Sequence, residues 1–477
     1  MDMKSSIWTR EELIDAVTPI KINGGDFNSS GVSIDTRSLK SGEVFIALTG
    51  QNSNGHDYIN RAIMAGASAV VIDNSEHLNK YKIPTVLVKN CEEALNQLAT
   101  FRRNQSKAKI IAITGSVGKT STKEALFFVL KNFGRTYATQ GNYNNHLGVP
   151  LSLSNMHRSC DYGIFEIGTS NPGEILPLSK LVKPDIAVLT AIAAAHLQNF
   201  DSIEDIAKEK LSIIGGLSKD GILFYNGITC DNYIQNLTVK NENYTKFYRD
   251  FQNRTINQQY LNINYKGYHF EFPNLQSSAV RSQIILSVLT LCDYLHLDIN
   301  KACTILNNLQ MPKGRGKISK LNIPATNSLE KNSSIDMIDD SYNANPLSMT
   351  ESIRFATNYA KGQNKKLTLI VGDMLELGSN EIKYHEELKS LIDTTVINRV
   401  ITVGSLMNFL KLKIENNVKS ENFADSRHLE KNLFDILDQN SVLLIKGSHS
   451  TGLYRIAEQL LKFETTTLKE IEDKDAL

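Results

Sequence analysis

The stretch Ile110-Ile111-Ala112-Ile113-Thr114-Gly115-Ser116-Val117-Gly118-Lys119-Thr120-Ser121 constrains this chain more than any other. It opens as an apolar, β-branched run, the pattern of a strand buried on both faces of a parallel sheet. Two glycines, Gly115 and Gly118, break the run, and Thr122-Lys123-Glu124-Ala125-Leu126-Phe127-Phe128-Val129-Leu130 then reads as a helix. Strand, glycine loop, Lys-Thr and helix make the plan of a phosphate-binding loop. Glycines let backbone N–H groups approach an anion, and the helix N-terminus adds the positive end of its dipole. In such a loop Lys119 reaches the β/γ-phosphates of a nucleotide and the Thr120 hydroxyl ligates Mg2+. The general pattern places its first glycine where Ile113 stands; here the glycine sits at 115. A nucleotide triphosphate is the expected ligand, but the loop alone does not name the reaction.

At 477 residues the chain exceeds one ordinary core, and about three domains are expected. Its hydrophobic content of 41% and charged content of 22% are those of a globular protein. A formal net charge of +1 gives no electrostatic case for nucleic-acid or membrane binding. The five cysteines, Cys91, Cys160, Cys230, Cys292 and Cys303, are dispersed with no C-x-x-C pair, which predicts reduced thiols in the cytoplasm. The first ten residues hold no apolar core of a secretion signal, and no stretch reaches the roughly 18 apolar residues of a membrane span.

Residues 1–88 read as a small α/β unit. Thr9 and Glu12 have capping-box spacing at a helix start. Short strands are expected at 31–34, 43–48, 69–72 and 85–88, with a helix over 57–65. Two polar clusters, Ser33-Ile34-Asp35-Thr36-Arg37 and Gly50-Gln51-Asn52-Ser53-Asn54-Gly55-His56, fall at strand ends, where they can hold an anionic or sugar-like ligand. Each taken alone is ordinary turn chemistry.

A second unit, 89–317, begins with a helix from Cys91 and alternates strands with helices as a doubly wound sheet does. The strands Gly163-Ile164-Phe165-Glu166-Ile167-Gly168 and Asp185-Ile186-Ala187-Val188-Leu189-Thr190 carry Glu166 and, just beyond, His196 near their ends. A lone Glu or His there is ordinarily a cap or surface residue. Two of them after a phosphate loop, at consecutive strand ends, favour metal or phosphate work, because ligands gather beyond the carboxyl ends of such strands. Residues 233–274 read as β-hairpins and 277–297 as a long helix, before the basic Pro/Gly link Met311-Pro312-Lys313-Gly314-Arg315-Gly316-Lys317.

A third unit, 318–477, again alternates strands and helices after a polar insertion at 324–334. Acids, amides and Lys446 lie at its strand ends: Asp339-Asp340-Ser341-Tyr342-Asn343-Ala344-Asn345-Pro346, Gly372-Asp373-Met374 and Lys446-Gly447-Ser448. The last stretch, 465–477, is polar and expected to fray.

These motifs together resemble the Mur ligases, most closely the branch that adds D-alanyl-D-alanine. The resemblance rests on the loop 114–121, on Gly141-Asn142-Tyr143-Asn144-Asn145 with Gly148-Val149-Pro150, and on Ala193-Ala194-Ala195-His196-Leu197. It extends to Gly372-Asp373-Met374-Leu375-Glu376-Leu377-Gly378 and the third-unit motifs above, and in this family the displaced loop glycine is the norm. It implies three α/β domains: a UDP-sugar domain, a central ATPase with a parallel sheet, and a Rossmann-like domain that closes over ATP. The implied reaction is ATP-dependent amide formation between UDP-N-acetylmuramoyl-tripeptide and D-alanyl-D-alanine through an acyl phosphate, in peptidoglycan synthesis, by a monomer.

By the same resemblance, Gly115, Ser116, Val117, Gly118, Lys119, Thr120, Ser121 and Asn145 hold nucleotide with Arg315, Asp340, Asn343 and Asn345. Thr120 and Glu166 would hold one Mg2+. His196 would hold a second, with Lys210, or Lys208 in its place, as a carbamylated lysine. Ser33, Asp35, Thr36 and Arg37 match the UDP-receiving region. Thr169-Ser170, where the family has Ala-Asn, and His449, where it has Arg, are departures. A folylpolyglutamate synthase-like ligase is the alternative, but it leaves the first unit without a purpose. A regulatory GTPase needs a guanine-reading Asn-Lys-x-Asp, and Asn364-Lys365-Lys366-Leu367 lacks the acid.

Overall fold

The structure is a computed structural model that describes residues 6–235, 244–247, 261–265, 268–272, 279–323 and 333–464. Three sheets follow one another along the chain. The first runs Lys21–Asn23, Thr85–Leu87, Ala69–Ile72, Glu43–Ile46, Gly31–Ser33 across the sheet, parallel except for its first pair. The expected capping box is present: the Thr9 side chain accepts the Glu12 N–H, and Glu12 accepts that of Thr9.

The second sheet is six-stranded and wholly parallel: Tyr244–Phe247, Ile222–Asn226, Ile186–Leu189, Lys109–Thr114, Tyr162–Glu166, Thr136–Ala138. The phosphate-loop strand lies inside it, and its alternation explains why all its middle residues are apolar. Ile111 and Ile113 pack with helix Lys119–Leu130 in one core. Ile110 and Ala112 face a second core on the other side of the sheet. The connection from Tyr162–Glu166 to Ile186–Leu189 jumps over the phosphate-loop strand, so the strand order reverses there. Register places Glu166 beside Ile113 and Leu189 beside Thr114. The strand ends that carry Gly115, Glu166 and Thr190 are therefore level, at the point where open α/β sheets collect ligands.

The third sheet is ordered Lys317–Ile323, Ser333–Asp339, Ser441–Lys446, Lys366–Gly372, Ile397–Val403, Lys419–Phe423, antiparallel only in its first pair. Asp339 pairs with Ile445 and Val371 with Lys446, so the ends that carry Asp340, Asp373 and Lys446 are also level.

The first two sheets are joined by more than a linker. Helix Cys91–Gln105 buries Cys91, Ala94, Leu95 and Leu98 in the first sheet's core and Ala99 in the central one. Trp8 is fully buried; its indole N–H donates to Ser154 O at 2.9 Å, and the Arg102 guanidinium lies 4.1 Å from its ring.

Of the span 233–274 expected as hairpins, residues 236–243, 248–260, 266–267 and 273–274 lie outside the described residues; within the rest, Leu261–Tyr265 and Tyr268–Phe272 form an antiparallel pair. Gly227–Gln235 is a helix, and Tyr244–Phe247 joins the central sheet as a parallel edge strand. Polar alternation marks a half-exposed strand but does not say which partner it takes. Residues 324–332 of the expected insertion, and the terminal stretch 465–477, lie outside the described residues. No helix among the described residues is long and apolar enough to cross a membrane.

Candidate active site

The central and third sheets point their carboxyl ends at one cavity of about 980 Å3. Residues 116–121, Asn145, Glu166 and His196 line it from one side, and Arg315, Asp340, Asn343 and Asn345 from the other. Residues expected from far-apart motifs are thus brought together, whereas Lys210 lies outside this lining.

The phosphate loop is held by its neighbour strand. Thr190 Oγ1 donates to Val117 O at 2.6 Å, and Ser116 Oγ donates to Ala193 O at 2.9 Å. Gly115 has φ +148°, and a Cβ there would lie 2.0 Å from Thr190 Oγ1 and 2.9 Å from Ala191 N. No other residue allows that approach. The Lys119 ammonium donates to Gly115 O at 2.6 Å, which folds it over its own loop. Burial lowers its pKa, against the pull of the Glu166 charge. Lys123, one turn into the helix that follows the loop and fully buried, donates to Thr139 O and Gly141 O and so anchors the 139–141 segment.

Glu166 is 1% exposed. Its Oε1 accepts from Asn144 Nδ2 at 2.8 Å, and its Oε2 has no hydrogen-bond partner. An orphaned buried carboxylate oxygen is costly unless a cation or donor completes it. Thr120 lines the same cavity, and its hydroxyl and this carboxylate are oxygen donors of the kind Mg2+ takes. The motif 141–145 divides its labour: Asn144 holds Glu166, while Asn145 Oδ1 accepts the N–H of Gly148, the first residue of helix Gly148–Ser154, at 2.8 Å. The run of asparagines was the available signal, but sequence could not say which one faced the acid.

His196 has φ 56° and its Nδ1 is hydrogen-bonded to Glu376 Oε2, on the loop that follows strand Lys366–Gly372 of the third sheet. Burial pushes its imidazole below the usual histidine range, while the Glu376 hydrogen bond pulls the other way. Lys210 is 1% exposed, and its side chain makes no hydrogen bond or ion pair among the described residues. Burial first, and the Lys119 charge second, push its amine well below an ordinary lysine. Lys208, by contrast, is exposed and paired with Asp205 at 2.8 Å. Between them Glu209 accepts the N–H groups of Gly173 and Ile175, both at 2.7 Å, at the start of helix Ile175–Val182.

Across the cavity, Asp340 Oδ2 accepts from Lys446 Nζ at 2.7 Å and from Ser352. Lys446 also reaches Asn343 O at 3.0 Å. Asn345 caps helix Pro346–Gly362. Arg315 lies with its guanidinium 3.9 Å from the Tyr342 ring and donates to Thr120 Oγ1 at 3.3 Å, so it spans from the link to the phosphate loop. Asp339, not Asp340, shapes that link: its Oδ2 accepts the Gly314 N–H at 2.9 Å. Asp373 is also structural, accepting the N–H of Met407 at 2.7 Å at a helix start.

The departures from the family pattern are accommodated locally. His449 stacks on Tyr454 at 4.7 Å and meets Tyr342 edge-on. Thr169 and Ser170 are clasped by the Glu174 carboxylate.

Of the first-unit cluster, Ser33 lines a second cavity of about 800 Å3 between the first and central sheets, with Arg135, Tyr143 and Asn155. Asp35, Thr36 and Arg37 do not line it. Arg37 is exposed and makes a two-pronged bond to Asp35.

A phosphate-loop sheet and a second α/β sheet facing each other across one polar cavity define a nucleotide-dependent enzyme whose cleft lies between domains. Family models agree on the kind: the Mur ligase middle domain matches residues 113–288, the glutamate ligase domain 327–449, and the Mur ligase catalytic domain 28–103. A UDP-N-acetylmuramoyl-tripeptide–D-alanyl-D-alanine ligase of Rickettsia prowazekii is 35% identical over 445 residues, covering 90% of this chain and 95% of that one. The crystal structure of MurF from Acinetobacter baumannii superposes with a TM-score of 0.79 at 24% identity, covering 95% and 99% of the two chains. MurF from Thermotoga maritima in complex with ADP gives 0.72 at 23%, covering 91% and 97%. The chain belongs to the Mur ligase family, and its fold is that family's three-domain α/β architecture.

Proposed function

We propose that this chain joins UDP-N-acetylmuramoyl-tripeptide to D-alanyl-D-alanine at the expense of ATP, releasing ADP and phosphate, in peptidoglycan synthesis. The observation that carries the reading is the single cavity in which the phosphate loop, Glu166 and His196 face Arg315, Asp340 and Asn345. The 35% identity over 90% of the chain to a ligase of that name supports the substrate pair. That match includes the first unit, which the folylpolyglutamate alternative leaves idle, so the alternative is not favoured.

A tripeptide carboxylate oxygen attacks the γ-phosphorus and ADP departs, leaving an acyl phosphate. The D-alanyl-D-alanine amine then attacks the acyl carbon, and the tetrahedral adduct expels phosphate with loss of a proton from nitrogen. Both reacting partners of the first step are anions, so positioning and charge neutralisation dominate the barrier. Lys119 and the amides of residues 115–121 receive the β/γ-phosphates, and Arg315 approaches them from the opposite wall. Asp340, oriented by Lys446 and Ser352, contacts the ribose, with Asn343 and Asn345 lining the nucleotide pocket. Thr120 and Glu166 would hold one Mg2+ and His196 with Lys210 a second; Mg2+ supplies neutralisation of phosphate charge.

Burial holds the Lys210 amine well below an ordinary lysine and so favours the unprotonated form that adds CO2 to give a carbamate, whereas Lys208 is exposed and ion-paired. Ser33, Asp35, Thr36 and Arg37 serve the UDP end of the substrate. The enzyme works in the cytoplasm as a monomer, without a nucleic-acid partner. Tripeptide carrying 18O in its terminal carboxylate tests the route: one label atom should appear in released phosphate alongside pentapeptide product. Unlabelled phosphate, or no pentapeptide, would reject it.

A further inference from the structure

Glu376 has no part in the reaction just described, yet the loop that carries it is where the third sheet touches the wall of the central one. Its carboxylate bonds His196 Nδ1, and its backbone carbonyl accepts the Gln198 N–H at 3.1 Å. Both partners of this clasp are non-glycine residues in the left-handed region, His196 at φ 56° and Glu376 at φ 63°. Each such conformation is strained and persists only where its surroundings impose it.

Those surroundings are visible. His385 is fully buried beneath the loop, accepting the Met374 N–H on Nε2 at 2.9 Å and donating from Nδ1 to Glu381 O at 2.6 Å. Ser448 Oγ accepts the Leu375 N–H at 2.9 Å. At the loop's far end Gly378, with φ +65°, comes so near Leu197 that a Cβ would lie 3.1 Å from its carbonyl oxygen.

We propose that Glu376 is a positioning residue that sets the His196 tautomer from the opposite domain. An ionised carboxylate only accepts, so the shared proton sits on His196 Nδ1 and Nε2 keeps its lone pair. Nε2 makes no hydrogen bond among the described residues, and the side chain lines the phosphate cavity. Docking of the third domain therefore presents His196 as an acceptor or ligand, and undocking releases it. The catalytic consequence rests on the ligase reading; the clasp itself does not.

Protein with 15N-labelled histidine tests this, with ADP and no divalent ion present and His196→Asn used to assign the signals. Wild type should show His196 protonated on Nδ1 alone, and Glu376→Ala should shift it toward the Nε2–H form that free imidazole prefers. An unchanged tautomer in Glu376→Ala overturns the proposal. In the ligation assay, Glu376→Ala should raise the half-saturating Mg2+ about tenfold or more with the D-alanyl-D-alanine KM unchanged. Glu376→Gln, whose carbonyl still accepts from Nδ1–H, should recover most of that. A fall in kcat at wild-type Mg2+ dependence in both variants would also overturn it. If wild type fails to ligate at all, the ligase reading fails while the histidine spectrum still decides the clasp.

Discussion

The Lys119 ammonium is half-buried at the phosphate loop with Gly115 O as its hydrogen-bond partner, an arrangement that favours a bound anion. Lys119→Ala should lower kcat/KM by at least about a hundredfold, the scale of one lost charge-stabilising contact. Its urea midpoint should stay close to or above wild type, since desolvating an ammonium opposes folding; near-wild-type turnover would remove the loop from the mechanism. Gly115→Ala should act differently, because its Cβ meets Thr190 Oγ1 and the Ala191 backbone. Loss of nucleotide binding by about tenfold or more, measured calorimetrically, together with lower stability, is expected. At this scale the sequence is legible where backbone geometry dictates residue type, as at Gly115, where a Cβ would meet Thr190 Oγ1. It was not legible where geometry selects among equals: Asn144 against Asn145, or Asp339 against Asp340. Glu376 lay inside a recognised motif, but its partner is 180 residues away and no local pattern encodes that.

Elements show the same division. The phosphate-loop strand could be read because burial on both faces demands a continuous apolar run. The strand Tyr244–Phe247 could not be assigned to the central sheet, because an edge strand is half polar and carries no mark of its partner. Helix Cys91–Gln105 shows why a boundary drawn at residue 88 is a matter of chain rather than packing: most of its buried face belongs to the preceding core. Glu209 is the most exposed to test among element-level contacts, since its carboxylate satisfies two backbone donors at the start of helix Ile175–Val182. Glu209→Ala leaves both unpaired beside Lys210 and should cost about 2–4 kcal/mol in chemical denaturation. A change within 0.5 kcal/mol would mean the helix start finds other partners.

At the scale of the molecule, stability should depend on pH through buried neutral histidines. Burial pushes His56 and His385 below the ordinary histidine value. Below about pH 6.5 the unfolded chain binds protons there that the folded chain does not, so stability falls as pH falls. The denaturant midpoint should drop between pH 7.5 and 5.5, and His385→Gln should show a shallower drop; an equal slope would exclude His385 as a source.

The central claim concerns the cleft between two domains, both of which line one cavity. Phosphate release from ATP with UDP-N-acetylmuramoyl-tripeptide, with and without D-alanyl-D-alanine, tests it most directly. Release should rise steeply on adding the dipeptide and match pentapeptide formed one for one. Equal release in the two cases, with no pentapeptide, would contradict the account.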